Sequence, residues 1–108
     1  MPELLKCPQV IRDLIEIATY IAGNNLESGE QFLYAAEETF KQLGQMPKMG
    51  KSCQFSHPRL QNIRQIAVKG FRQYLIFYQI TLAGVEIVRV IHGSRDLEAI
   101  LEDAQSRE

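Results

Sequence analysis

"RQYLIFYQIT", residues 72–81, decides how this chain folds. Tyr74, Ile76, Tyr78 and Ile80 alternate with Gln73, Leu75, Phe77 and Gln79. That is the period of two expected of a β-strand, whose successive side chains point to opposite faces. Both sets are largely apolar, which marks the segment as a central strand.

The same period continues on either side. Residues 63–68 and 85–92 read as strands, separated from the central one by Lys69-Gly70 and by Leu82-Ala83-Gly84. Such short connections require antiparallel pairing, because a parallel neighbour needs a crossover of about a dozen residues or more. Residues 4–7 add a weak N-terminal edge strand ahead of Pro8.

Further upstream the period changes to that of a helix. In residues 9–22 the apolar side chains fall at 10, 14, 17, 18 and 21 and again at 11, 15, 18 and 22. Arg12, Asp13, Glu16 and Thr19 are left for the solvent face. Ser28 is placed to cap a second helix over residues 29–43, with apolar residues at 32, 33, 36, 40 and 43, and Gly44 and Pro47 to stop it. Glu30, Glu37, Glu38 and Lys41 fall outside the stripe. Residues 46–58 are turn-rich and read as a loop. Past the last strand, "SRDLEAILEDA", residues 94–104, puts Leu97, Ile100, Leu101 and Ala104 on one face, with Ser94 as N-cap and Asp96 against the helix dipole. The expected fold is α+β: an N-terminal helical hairpin packed on a three- to four-stranded antiparallel meander, closed by a short C-terminal helix.

With 108 residues, 45% of them apolar, and no Pro- or Gly-rich linker, the chain reads as one domain over residues 1–108. Its unbroken apolar run at residues 75–78 is far short of the roughly 20 residues of a membrane span. The start lacks a signal peptide's basic and apolar regions, so a cytoplasmic protein without membrane contact is expected. Cys7 and Cys53 make neither a disulfide framework nor a zinc motif; Cys7 reads as a small buried side chain and Cys53 as a loop thiol. No metal site or cofactor is expected.

The formal net charge of −1 argues against a generic nucleic-acid binder, yet it hides a segregation: residues 1–47 carry −4, residues 48–95 carry +7 and residues 96–108 carry −4. A positive middle between negative ends suggests a surface directed at an acidic partner.

The residues richest in chemistry are "VRVIHGSRD", residues 88–96. Together with "DLIEIATYIA" (residues 13–22) and "VKGFRQYLIFYQI" (residues 68–80), this run resembles the RelE/ParE superfamily of bacterial type II toxin-antitoxin toxins, and most closely its ParE branch. The resemblance extends from about residue 8 to residue 101, and its most specific part is the Arg-Val-x-His-Gly-x-Arg-Asp run from Arg89 to Asp96. It implies the fold already expected, growth arrest, a role in plasmid stabilization and a cognate antitoxin that silences the toxin in a hetero-oligomer. It does not by itself choose between two activities on one fold. ParE-type members inhibit DNA gyrase by binding; RelE-type members are ribosome-dependent mRNA endoribonucleases.

The residues favour the former. Metal-free RNA cleavage needs a base for the 2′-hydroxyl, cationic donors at the phosphate and an acid for the leaving oxygen. Lys69, Arg72, Arg89 and His92 are the candidate catalytic set, but no Tyr, His or Lys follows His92, and the acidic C-terminal stretch would repel RNA. The expectation is therefore a non-enzymatic toxin without sequence-specific nucleic-acid binding, using Arg64, Lys69, Arg72, Arg89 and Arg95 for partner contact. His92 has two readings, a proton carrier or a strand end whose ring bonds to the following turn; no acid, base or nucleophile is recognisable beside it in sequence, which favours the second. His57, in the loop, has less to recommend it. If Ile87 and Ile91 point toward the helices, Arg89 does too and needs a carboxylate, Asp13 or Glu16. Arg95 and Asp96 read equally as a local pair. Phe71, Tyr74, Phe77 and Tyr78 read as core rather than as a base-stacking platform, and Glu37-Glu38 and Glu102-Asp103 as solvated helix faces.

Overall fold

The structure is a computed structural model that describes residues 3–106, with side-chain surroundings through Asp103. In chain order it runs β1 (Glu3–Lys6), α1 (Pro8–Ala22), α2 (Leu26–Gln45), β2 (Lys51–Ser52), β3 (Arg64–Val68), β4 (Phe71–Ile80), β5 (Gly84–His92) and α3 (Leu97–Ser106). Single 3-10 turns at Pro47–Met49 and Pro58–Leu60 punctuate the α2–β3 connection. The five strands form one sheet in the order β1-β5-β4-β3-β2, with β4 in the middle as its two apolar faces require.

The meander β3-β4-β5 is antiparallel, with Ile66 opposite Ile76 and Ile76 opposite Val90. The sheet has two more strands than the meander. β1 lies beside β5 and parallel to it, so the sheet is not wholly antiparallel; the crossover is supplied by everything between the two strands. Lys51–Ser52, inside the segment expected to be loop, pairs with Gln65 and Arg64 as a two-residue edge. A glycine is required where β1 meets β5: Gly84 has φ of +145°, and a Cβ there would meet the Glu3 carbonyl oxygen well inside contact distance.

Two cores sit on the two sides of the sheet. Val10 and Leu14 of α1 and Phe32, Phe40 and Leu43 of α2 bury against Tyr74, Ile76, Tyr78, Val85, Ile87 and Val90. On the opposite face Leu101 of α3 and Leu60 and Ile63 of the connection bury against Phe77, Val88 and Ile91. Helical hairpin, sheet and C-terminal helix thus form three layers, which is why both faces of β4 are apolar. Tyr78 is fully buried, and its hydroxyl donates to the Pro47 carbonyl (2.7 Å) while accepting from the Gly50 amide (2.9 Å). Phe32 meets Phe71 and Tyr74 edge-on, each at 5.3 Å, so the strand aromatics are core.

Element boundaries depart from expectation at the caps. α2 begins at Leu26, and its N-cap is Asn25, whose side-chain oxygen accepts the Ser28 amide (3.1 Å); Ser28 lies inside the helix. The helix also runs through Gly44 to Gln45. Gly29 sits where the hairpin helices touch, and a Cβ would come within 2.8 Å of the Ala18 carbonyl oxygen. Ser94 does not cap α3; Asp96 stands immediately before it and accepts the Ala99 amide (3.3 Å). Ala104, counted in the apolar face of this helix, has its side chain outside the described residues. Cys53 lies in the loop that follows β2, with its side chain buried in the second core, and burial raises its thiol pKa against the opposing pull of Lys51 and Arg64.

Candidate functional site

The sheet and the helical hairpin leave a cleft of about 850 Å³ between α1 and the C-terminal end of β5. Asp13, Glu16, Ile17 and Tyr20 line it from α1, at the i, i+3, i+4 and i+7 spacing of one helix face. Gln73 and Tyr74 of β4 and Arg89 to His92 of β5 form the opposite wall, with Ser94 and Arg95 of the following turn at the mouth.

Its floor is an ion pair. Arg89 donates from Nε and Nη2 to the two carboxylate oxygens of Asp13, both at 2.8 Å. Asp13 is only 4% exposed and also accepts the Val90 amide and the Gln9 side-chain amide, each at 3.1 Å, so its buried charge is compensated by four donors. Of the two carboxylates expected for Arg89 the fold therefore uses Asp13, and Glu16 remains exposed on the cleft wall. The β4–β5 register slips by one residue between Phe77 and Tyr78, leaving Val88 without a partner opposite. Because of that bulge Ile87 and Ile91 do not share a face: Ile87 packs under the hairpin and Ile91 under α3.

His92 closes β5. Its ring stands perpendicular to Tyr74 with centroids 5.1 Å apart, and its Nδ1 accepts the Ser94 amide (3.1 Å), the strand-end arrangement anticipated from the sequence. Tyr74 itself is held in its neutral form, its pKa raised by burial and then by the nearby Tyr20.

The sequence candidates are thus sorted by position. Arg89, His92 and Arg95 come together on the cleft; Lys69 and Arg72 are exposed at the β3–β4 hairpin and do not line it. Arg64 is elsewhere again, its guanidinium clamping the start of β2: Nε and Nη2 donate to the Gly50 carbonyl (3.1 and 2.6 Å) and Nη2 also to the Lys48 carbonyl (3.2 Å). The α1 wall and Tyr74 escaped sequence reasoning as site residues, although the spacing of Asp13, Glu16, Ile17 and Tyr20 carries the signal.

A second cluster fastens α3. The Glu98 carboxylate accepts the Ser56 amide (2.7 Å), the Ser56 hydroxyl (2.8 Å) and the His57 amide (3.0 Å), which hold its pKa below the ordinary value. His57 Nε2 lies 3.4 Å from Glu102, so that carboxylate is engaged rather than merely solvated. Glu37 likewise meets Lys6, at 3.0 Å. Among the described residues no group of three or more His, Cys, Asp or Glu is placed to hold a metal ion, and no helix is long and apolar enough to cross a membrane.

Residues 7–97 match the family described as "ParE toxin of type II toxin-antitoxin system, parDE". The chain belongs to this family. The match covers α1 through the turn after β5, and so includes every wall of the cleft. ParE membership carries a toxin role and implies an antitoxin as partner. No curated protein sequence matches this ParE-family chain.

Proposed function

We propose that this ParE-family toxin acts in the bacterial cytoplasm by binding and inhibiting DNA gyrase, without catalysing a reaction, and that a cognate antitoxin neutralises it. The observation that carries the non-enzymatic reading is the bidentate engagement of Arg89 by Asp13. A metal-free ribonuclease needs its strand arginine free to meet a phosphate, whereas this guanidinium is committed bidentately to a buried carboxylate. Lys69 and Arg72, the other cations of the candidate catalytic set, do not line the cleft with His92.

The cleft suits a peptide partner. It offers Ile17, Tyr20 and Tyr74 to an apolar side chain and Arg95 at its mouth to a carboxylate, the mixture by which a groove takes an amphipathic segment. Arg95 at the cleft and, apart from it, the exposed Lys69 and Arg72 of the β3–β4 hairpin offer cations to acidic residues of the antitoxin or of the target.

The test is induction of the chain without antitoxin, scoring plasmid supercoiling and mRNA integrity in the same cells. Loss of supercoiling with intact messages is expected, and purified protein should block gyrase supercoiling in vitro. Intact supercoiling with messages cut on ribosomes would replace this reading by the RelE-like endoribonuclease, and Lys69→Ala and Arg72→Ala would then relieve toxicity without loss of fold.

A further inference from the structure

His92 and Ser94 form a base–nucleophile pair at the mouth of the cleft. The Ser94 Oγ lies 2.7 Å from His92 Nδ1, the same nitrogen that accepts the Ser94 backbone amide at 3.1 Å. A backbone N–H can only donate, so Nδ1 presents its lone pair and the ring proton is on Nε2. The short oxygen–nitrogen contact must then be bridged by the hydroxyl's own proton. Ser94 is a donor to an imidazole base, the ground-state arrangement of an activated serine.

The surroundings fix this geometry. The Gly93 amide donates to the Gln73 carbonyl at 2.7 Å and the Arg95 amide to the His92 carbonyl at 3.1 Å, closing the turn on both sides of Ser94. Tyr74 holds the imidazole perpendicular to its own ring. Ser94 is exposed, so an electrophile can reach its oxygen, and Arg95, the next residue, also lines the cleft and supplies a cation for an anionic adduct.

We propose that Ser94 is a covalent-modification site, an acceptor of phosphoryl groups for which His92 is the general base. In the step, Oγ attacks phosphorus and the Oγ–P bond forms. The bond from phosphorus to the leaving group breaks, the leaving group departs with the electron pair, and the hydroxyl proton passes to Nδ1. With a nucleoside triphosphate as donor the leaving group is the nucleoside diphosphate; with a fluorophosphonate it is fluoride. The product places a bulky anion at the cleft mouth, obstructing any segment that enters there.

The test uses the purified chain and a fluorophosphonate, with adducts located by intact mass and peptide mapping from about pH 5 to pH 8. One adduct is expected, on Ser94, forming roughly 10²-fold faster than on a free peptide spanning residues 88–97, as a positioned general base provides. Its rate should rise with pH over this range and then level off, as reaction through a general base requires. Ser94→Ala should remove the adduct. His92→Asn keeps an oxygen to accept the Ser94 amide but has no base, and should fall to the peptide's rate with its thermal midpoint preserved. A wild-type rate equal to the peptide's, a rate climbing with hydroxide without a plateau, or undiminished labelling of His92→Asn would each overturn the proposal. Should His92→Asn fail to fold, the wild-type pH profile and the comparison with the peptide decide.

Discussion

Asp13 joins two elements far apart in the chain through a single buried carboxylate. From the middle of α1 it gathers two guanidinium donors, one strand amide and one glutamine amide, and thereby fixes α1 against β5 where the strand bulges. Removing one partner of a buried pair leaves the other charged and uncompensated, which costs about 3–5 kcal/mol. Asp13→Ala is therefore expected to lose about that much stability in denaturant titration. Arg89→Met in the same background should recover part of the loss, because no buried charge then remains; a double mutant no more stable than Asp13→Ala would count against the pairing as the cause. From sequence alone Asp13 and Glu16 were equivalent candidates for Arg89. They differ by less than one helical turn, and only the path of β5 past α1 buries one and exposes the other.

Among the elements, α3 has the most conditional attachment. Leu101 anchors it in the second core, while Glu98 ties its first turn to the Ser56–His57 backbone. The folded Glu98 carboxyl titrates below its ordinary value of 4.5, with the Ser56 hydroxyl the largest cause. Its bonds are therefore fully present above that value and are lost as the pH falls through the lower, folded one. Protection of the Ser56 and His57 amides, taken relative to their intrinsic exchange rates at each pH, should fall as the solution is acidified through that window, and Glu98→Gln should show the reduced protection already at neutral pH. Unchanged protection in Glu98→Gln would mean that the carboxylate does not hold the loop. Here too the sequence was partly legible. The apolar stripe of α3 is local, and Leu97, Ile100 and Leu101 all reach the second core. The cap and the latch were not, because Asp96 rather than Ser94 takes the cap once His92 has engaged Ser94, and Glu98 meets residues some forty positions away.

Over the whole molecule, three layers mean that the sheet must be covered twice, by the hairpin on one side and by α3 with the Cys53–Ile63 segment on the other. The second cover is the smaller, and it hangs on Leu101, which is fully buried. Leu101→Ala is expected to cost about 2–5 kcal/mol, the usual range for a leucine truncated in a core. Because the cover is continuous with the connection to β3, exchange should rise at Cys53 and Ile63 as well as in α3; a loss confined to α3 would show that the two segments do not fold as one layer. Charge reads differently at this scale as well. Of the eight cations of the positive middle, Arg64 and Arg89 are committed to the protein's own carbonyls and carboxylate, so the surface available to an acidic partner is narrower than the sequence implies. Lys69, Arg72 and Arg95 keep their exposure and carry the expectation of contact.

What the sequence determined by itself is what periodicity can encode: the α+β class, the order of the elements, β4 as the central strand and His92 as a strand end, since each depends on side chains a few positions apart along one element. Tertiary structure decided the rest. The parallel β1, the two-residue β2, the choice of Asp13 for Arg89 across 76 positions, and the cleft walled by α1 all join segments distant in the chain. The His92–Ser94 contact is nearby in sequence, but it too needed the fold, because Tyr74 and the Gln73 carbonyl of the neighbouring strand hold the ring and the turn in place. Local pattern specifies which face of an element is apolar; it takes the packing of those faces to specify which polar groups then meet.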